Sequence, residues 1–494
     1  MTVRASFLPA AFRCAILAPA KPAISASDLA EKRAKFLRGW EESNMRILKL
    51  AGAILVLSAP ANAQIVAQPS AGTHQRAVAA GYKAALYCSG IFNAGRTPAQ
   101  IDADELAGIY PEYDKIVPAL AATVDNDLRS VAVTFDPQLP PRRATWSKGH
   151  GCVTLPIGSK IPTARESAGA PSVAGADPRR WPQGDAGISP RSLPALARTI
   201  GGAFDHAYGA GTKTVGVVIV QGGRIVAERY ASGFGPFVSN RTWSVGKSIA
   251  GTLIGMNMAG SINDPASVPQ WKAGDPRQSI TLDHLLRMAS GLHSDTAGNR
   301  TDAIYFGGTA VDEQAVSWPL EALPGTRFRY ANNDTLLAVY ATRQAIGEER
   351  YRRLPDSLFA PIGMAHTVAE TDWHGNYILS SQVWSTARDL ARLGLFWLQD
   401  GVWEGKRLLP EGWMHIMTTA SGPQPANGPG YGATLWLFGP EQGLPKGSFA
   451  AQGNRGQFVM VIPSRQVVVV RRGEDGGAAR FDIARFAADV AAAL

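Results

Sequence analysis

Arg241-Thr-Trp-Ser-Val-Gly-Lys-Ser-Ile-Ala-Gly251 is the stretch from which the rest of the chain is read. It has the form of the first turns of a helix on which Ser244 and Lys247, at i and i+3, share one face. A serine hydroxyl is a weak nucleophile near neutrality unless a neighbouring base takes its proton as the new bond forms. Lys247 can be that base once burial or a nearby cation has lowered its own pKa. Ser248 to Gly260 is apolar or small almost all round, as in a buried helix. Its glycines, Gly246, Gly251 and Gly255, each cost about 1 kcal/mol relative to alanine, which implies close packing against another backbone. Ser244 at the helix start also lies where free N–H groups and the positive dipole end stabilise a developing oxyanion. The SxxK spacing recurs by chance in long chains, so the pair alone does not decide the chemistry.

Outward from this stretch, 494 residues are enough for a catalytic core of around 300 residues and an accessory region. Met45-Arg-Ile-Leu-Lys-Leu50 is a short basic start, Leu50 to Ala59 an apolar run, and Ala61-Asn-Ala63 an AxA cleavage pattern. Residues 45–63 are therefore expected to be a secretory signal peptide, with Met45 the initiator and 1–44 an upstream extension. The apolar run is too short for an ordinary transmembrane span. Of the net charge of +9, a net +5 lies in the first 63 residues, and no arginine-rich stripe with interleaved aromatics follows. Nucleic acid binding is not expected. Beyond the leader the cysteines are Cys88 and Cys152, which in an exported chain suggest a disulfide. Neither follows the cleavage site, so no lipid anchor or other stable membrane anchor is expected.

Residues 76–161 read as a small α+β module. Arg76 to Leu86 has helical character, Pro98 to Leu106 resembles a capped helix start, and Ser130 to Phe135 and Arg143 to Trp146 alternate as two strands. Residues 162–187, rich in Ala, Gly, Pro, Ser and Asp, read as a linker or a surface wrap. A helix is expected from Ser189 to about His206 with Pro190 in its first turn, then a hairpin of Thr214 to Val220 and Arg224 to Tyr230. Ile280 to Gly291 reads as an amphipathic helix with a glycine stop, residues 292–325 as a loop-rich active-site wall, and Thr335 to Ile346 and Thr386 to Leu398 as helices. Strands at Ser448 to Ala451, Gln457 to Pro463 and Gln466 to Arg472 precede a C-terminal helix from Arg480. The order describes an α/β sheet domain over 188–494 with an inserted, mostly helical domain at about 266–374.

These residues resemble the serine β-lactamase and penicillin-binding-protein superfamily, in its class C-like branch, which also holds esterases and 6-aminohexanoate-dimer hydrolases. The resemblance covers roughly Ile188 to the C-terminus. It rests on SVGK at Ser244 to Lys247, YAN at Tyr330 to Asn332, and the stretches ITLDHLLRMASGL, PGTRFRY, FAPIGM and STARDLARLG in the family's order. Cys88-Ser-Gly and Gly149-His-Gly-Cys152 resemble, less specifically, an N-terminal module on some members. The resemblance implies an antiparallel sheet flanked by helices. It also implies Ser244 as the acylated nucleophile, Lys247 as its basic partner, Tyr330 as proton shuttle to the leaving group, and Asn332 holding Lys247 and the substrate's amide. The chain departs from the family at the third motif, KTG or HTG. Gly453 is in place, no lysine or histidine precedes it, and Gln452 stands where the cation is expected. The N–H of Asn454 would complete the oxyanion hole with that of Ser244, and Arg455 is the nearest replacement cation.

Rival schemes lack their parts. The eight histidines show no HExxH or other ligand spacing, no serine lies in GxSxG, and no Gly-rich phosphate loop is present, so no metal and no cofactor is expected. The expectation is a periplasmic or secreted serine hydrolase acting on small-molecule amides or esters through an acyl-enzyme. A β-lactamase or D,D-peptidase proper and a non-catalytic binding protein on the same scaffold are the alternatives.

Overall fold

The computed structural model describes residues 71–160, 175–190, 192–258, 260–294 and 301–494. The expected extension and signal peptide at 1–63 and the first half of the 162–187 stretch lie outside the described residues.

Seven antiparallel strands form the central sheet, in the order Gly430–Tyr431, Trp436–Phe438, Ser448–Gly453, Gln457–Ile462, Val467–Gly473, Thr214–Gln221, Arg224–Tyr230. Its middle strands are apolar on both faces because both faces are covered. Val218, Val220, Val459, Val461, Val468 and Val470 pack toward the helix Val245–Asn257, which the sequence leads one to expect as the nucleophile helix, and toward the helix Ala387–Leu398. Val217, Ile219, Met460, Ile462, Val467 and Val469 pack with Leu196, Ile200, Ile483, Phe486 and Val490 of the helices Pro194–Phe204 and Ile483–Ala493. This strict alternation is the period-2 rule of a strand inside a three-layer arrangement. Between Asn257 and Ala387 the regular elements among the described residues are mainly short helices joined by irregular chain, the longest helix being Asn332–Ile346, with the short strands Val368–Ala369 and Val383–Ser385. The fold is therefore α/β with an antiparallel sheet flanked by helices, as expected.

Several local expectations change. The helix before the sheet begins at Pro194 rather than at Pro190, with Leu193 held extended at φ −119°, because a residue preceding proline is driven out of the helical region. The Ile280 to Gly291 helix shrinks to Leu282–Leu286, opened by a Thr281–His284 capping box. Met288, at φ +60°, prevents its continuation. The first helix runs over Ala71–Phe92 and so carries Cys88. The module's sheet has four antiparallel strands, Ala122–Asp125, Ser130–Val133, Arg142–Ser147 and Gly151–Leu155, where two were expected. The two missed strands carry short mixed patterns, and tertiary pairing fixes them. Cys152 in the last strand is bonded to Cys88. Among the described residues no helix is long and apolar enough to cross a membrane.

Candidate active site

Trp243 turns the chain from the Asn240–Arg241 strand into the nucleophile helix with φ +51°. A non-glycine residue there costs about 1–2 kcal/mol, and the Arg241 guanidinium, 3.8 Å above the Trp243 ring, braces it. The turn leaves Ser244 at the helix N-cap, partly exposed, with Lys247 one turn on and almost fully buried. The glycines let the helix sit deep. A Cβ on Gly246 would lie 2.7 Å from the Leu379 carbonyl oxygen, and one on Gly251 2.3 Å from Thr434 Oγ1.

Lys247 Nζ is 3.1 Å from Ser244 Oγ, 2.5 Å from Asn332 Oδ1 and 2.9 Å from the Ser380 carbonyl oxygen. Burial, reinforced by the charge of Arg241, pulls its pKa from 10.5 down to about 7. No carboxylate pairs with it among the described residues. Asn332 and Ser380 offer Nζ only acceptors, so a neutral amine points its two N–H bonds at them and its lone pair at the serine hydroxyl. Tyr330 stands close enough to Ser244 for the serine hydroxyl to act on its phenol, and its ring lies 5.0 Å from Nζ. Burial drives this phenol well above its ordinary value, against the lowering effect of the Ser244 hydroxyl. Its ring packs against Trp436 and Tyr431 at 5.5 and 6.0 Å, giving the site an aromatic wall.

Gly453 ends the Ser448–Gly453 strand directly behind Ser244. A Cβ there would lie 2.3 Å from the Thr242 carbonyl oxygen and 3.1 Å from the Ser244 nitrogen. Asn454, itself exposed, begins a turn, and neither its N–H nor that of Ser244 enters a turn hydrogen bond among the described residues. Two expectations about this strand are corrected. A three-residue motif ending on Gly453 begins at Ala451, not at Gln452, and Ala451 is a fully buried methyl facing the nucleophile helix. Gln452 is half-buried and, opposite Phe458, lies on the other face of the strand. Arg455 does not replace the missing cation. Its guanidinium is buried, paired with Glu474 at 3.1 Å, and donates to the carbonyl oxygens of Asp104 and Gly108 at 2.7 and 3.2 Å.

Ser244, Lys247, Tyr330, Asn332 and Gly453 thus meet in one place, from three separate parts of the chain. Sequence reasoning missed Ser380, which acts through its backbone oxygen and leaves no side-chain signal. It also missed the role of Arg241, which stood in the quoted stretch, and the wall residues Tyr431 and Trp436. Among the described residues no cluster of His, Cys, Asp and Glu is placed to hold a metal ion.

A 6-aminohexanoate-dimer hydrolase of Paenarthrobacter ureafaciens is 26% identical over 292 residues, 53% of this chain and 72% of that protein. Among solved structures, a class C β-lactamase is similar with a TM-score of 0.47 at 12% identity, covering 63% of this chain and 98% of its own. EstCE1, a hydrolase with promiscuous acyltransferase activity, has a TM-score of 0.46 at 17% identity, covering 61% and 99%. The sequence model of the Beta-lactamase family matches residues 202–492, more than half of the chain, so the chain belongs to the Beta-lactamase family.

Proposed function

We propose that this chain is an exported serine hydrolase that acylates Ser244 and releases the acid by water attack, acting on small amides or esters without a carboxylate anchor. The observation that carries this is the setting of Lys247, a buried amine with two acceptor oxygens and the nucleophile as its third neighbour. In this scheme Lys247 takes the Ser244 proton while Tyr330, held protonated by burial, passes a proton to the leaving group. The amides of Ser244 and Asn454 receive the oxyanion. Asn332 orients Lys247, and the exposed edge near Gln452 and Gly453 receives the substrate backbone. The Cys88–Cys152 disulfide supports an oxidising compartment, periplasmic or extracellular.

A β-lactamase proper is disfavoured by the strand that would anchor a carboxylate. Ala451 offers a buried methyl, and Arg455 is engaged elsewhere. A charged hydrogen bond contributes roughly 1.5–3 kcal/mol, so turnover that depends on a carboxylate anchor should be lower by about one to two orders of magnitude. The 6-aminohexanoate-dimer hydrolase among the relatives makes a linear amide the first amide to try.

The test sets a neutral chromogenic ester, a linear amide, a penicillin and a chromogenic cephalosporin side by side. Ester hydrolysis should be measurable, lactam turnover weak, and Ser244→Ala should abolish the ester activity. Ester activity that survives Ser244→Ala would overturn the mechanism, and efficient penicillin turnover would overturn the substrate class.

A further inference from the structure

The turn at 454–456 carries the Asn454 amide and is built in a demanding way. Arg455 and Gly456 both have positive φ, +57° and +77°. Glycine is obligatory at 456, where a Cβ would lie 1.6 Å from Arg471 Nη1. Arginine at 455 has no such excuse, and a non-glycine residue in the left-handed region persists where its surroundings over-determine it.

Those surroundings come from the N-terminal module. Arg455 Nη2 donates to the Asp104 carbonyl oxygen at 2.7 Å and Nη1 to that of Gly108 at 3.2 Å, while Nε meets Glu474 at 3.1 Å. Arg455 and Glu474 are 7% and 5% exposed, so water competes little for these bonds. The Gly108 carbonyl oxygen also accepts from the Gly477 amide at 3.1 Å. Gly108, at φ +62°, lies so close to Gly476 that a Cβ would come within 2.8 Å of its Cα. Opposite the turn, Gly453 is pressed against the Ser244 nitrogen. The segment 104–108 therefore backs the turn on one side and the nucleophile backs it on the other.

We propose that the N-terminal module is a positioning element of the active site, its Asp104 and Gly108 carbonyls holding Arg455 and so fixing the Asn454 amide beside that of Ser244. This rests on the hydrolase reading above. It assigns the module a catalytic consequence without any reacting group of its own. An oxyanion hole works through donors set before the reaction begins, and a displacement of about 1 Å in a positioned group can lower a rate about a hundredfold.

Two variants test it in the full chain, Arg455→Met at the clamp and Gly108→Ala at the module's side of the contact, each confirmed folded by circular dichroism. The readout is kcat for a neutral ester and for its thionoester, whose sulfur is a poor acceptor for oxyanion-hole donors. Both variants should lose about tenfold or more in kcat on the oxygen ester with KM changed less than about threefold, and the ester-to-thionoester ratio should fall. A merely structural role would reduce the folded fraction and lower both substrates together, leaving the ratio unchanged, and that result would overturn the proposal. Should Arg455→Met fail to fold, Gly108→Ala decides alone, since it leaves the clamp's side chains intact. If the unmodified protein neither turns over the ester nor reacts at Ser244 with a fluorophosphonate, the hydrolase reading has failed. An active parent with unchanged variants fails the positioning proposal only.

Discussion

In the proposed mechanism the chemistry turns on Lys247, and its environment makes a prediction of definite sign. Its amine is shielded from water and lies near Arg241, which brings its pKa from 10.5 to about 7. A base must be unprotonated to act, so kcat/KM for a neutral ester should rise about tenfold per pH unit below pH 7 and level off above it. A rise centred near pH 10 would mean that the resting amine is charged, and would remove Lys247 as the base. The same shift enters stability. An unfolded lysine takes up its proton near pH 10.5 and the folded one only near 7, so stability falls as pH falls across that window and is flat below it. Between pH 9 and pH 7 this amounts to roughly 2 kcal/mol. Lys247→Met should remove that slope, as measured by urea unfolding of both proteins at the two pH values. Asn332 and Ser380 lose a partner in the variant, which lowers its stability at both values alike.

At the scale of elements the nucleophile helix makes the next prediction. Gly251→Ala raises helix propensity by about 1 kcal/mol, yet the new methyl would meet Thr434 Oγ1 at 2.3 Å. Overpacking costs about 1–3 kcal/mol. The net change in urea unfolding should therefore be destabilising, and a stabilised variant would show that the helix does not press on the 434 region. The glycines that made this helix legible did so because close backbone approach has a compositional signature. The sheet was legible because Val467 to Val470 and Thr214 to Val220 are apolar on both faces, a pattern that only a covered strand shows. Elements whose ends are set by a single residue were not. Leu193, held extended by Pro194, and Met288, in the left-handed region, move helix boundaries that periodicity cannot see. The site divides in the same way. Ser244, Lys247, Tyr330 and Asn332 stand in short local motifs, whereas the Ser380 carbonyl reaches Lys247 across 133 residues through an atom every residue possesses. Arg455 was read as a free cation because its partners at 104–108 lie about 350 positions away.

For the molecule as a whole, the module joins the hydrolase core through Glu370 as well as through Arg455. Glu370 directly follows the short Val368–Ala369 strand and accepts from the module's Ser89 Oγ at 2.6 Å, Asn93 Nδ2 at 2.9 Å and the Cys152 amide at 3.0 Å. The disulfide places two of these donors together, since Ser89 follows Cys88 and the third contact is Cys152 itself. Burial nonetheless outweighs the three donors and raises the Glu370 carboxyl from 4.5 to about 7. For an acid whose folded pKa is raised, the folded state holds the proton that the unfolded state has already released. Stability is therefore full below pH 4.5, falls as pH rises toward 7, and is flat above that. The loss from this one group is roughly 3 kcal/mol. Glu370→Gln keeps an acceptor oxygen for Ser89 and Asn93 and removes the titration. Unfolding midpoints at pH 5 and pH 8 should then differ less in the variant than in the parent, with the variant the more stable of the two at pH 8. A variant weaker than the parent by the same amount at both pH values would show that Glu370 enters the folded protein already ionised, held by its three donors, and that the module docks onto a charge rather than onto a neutral acid.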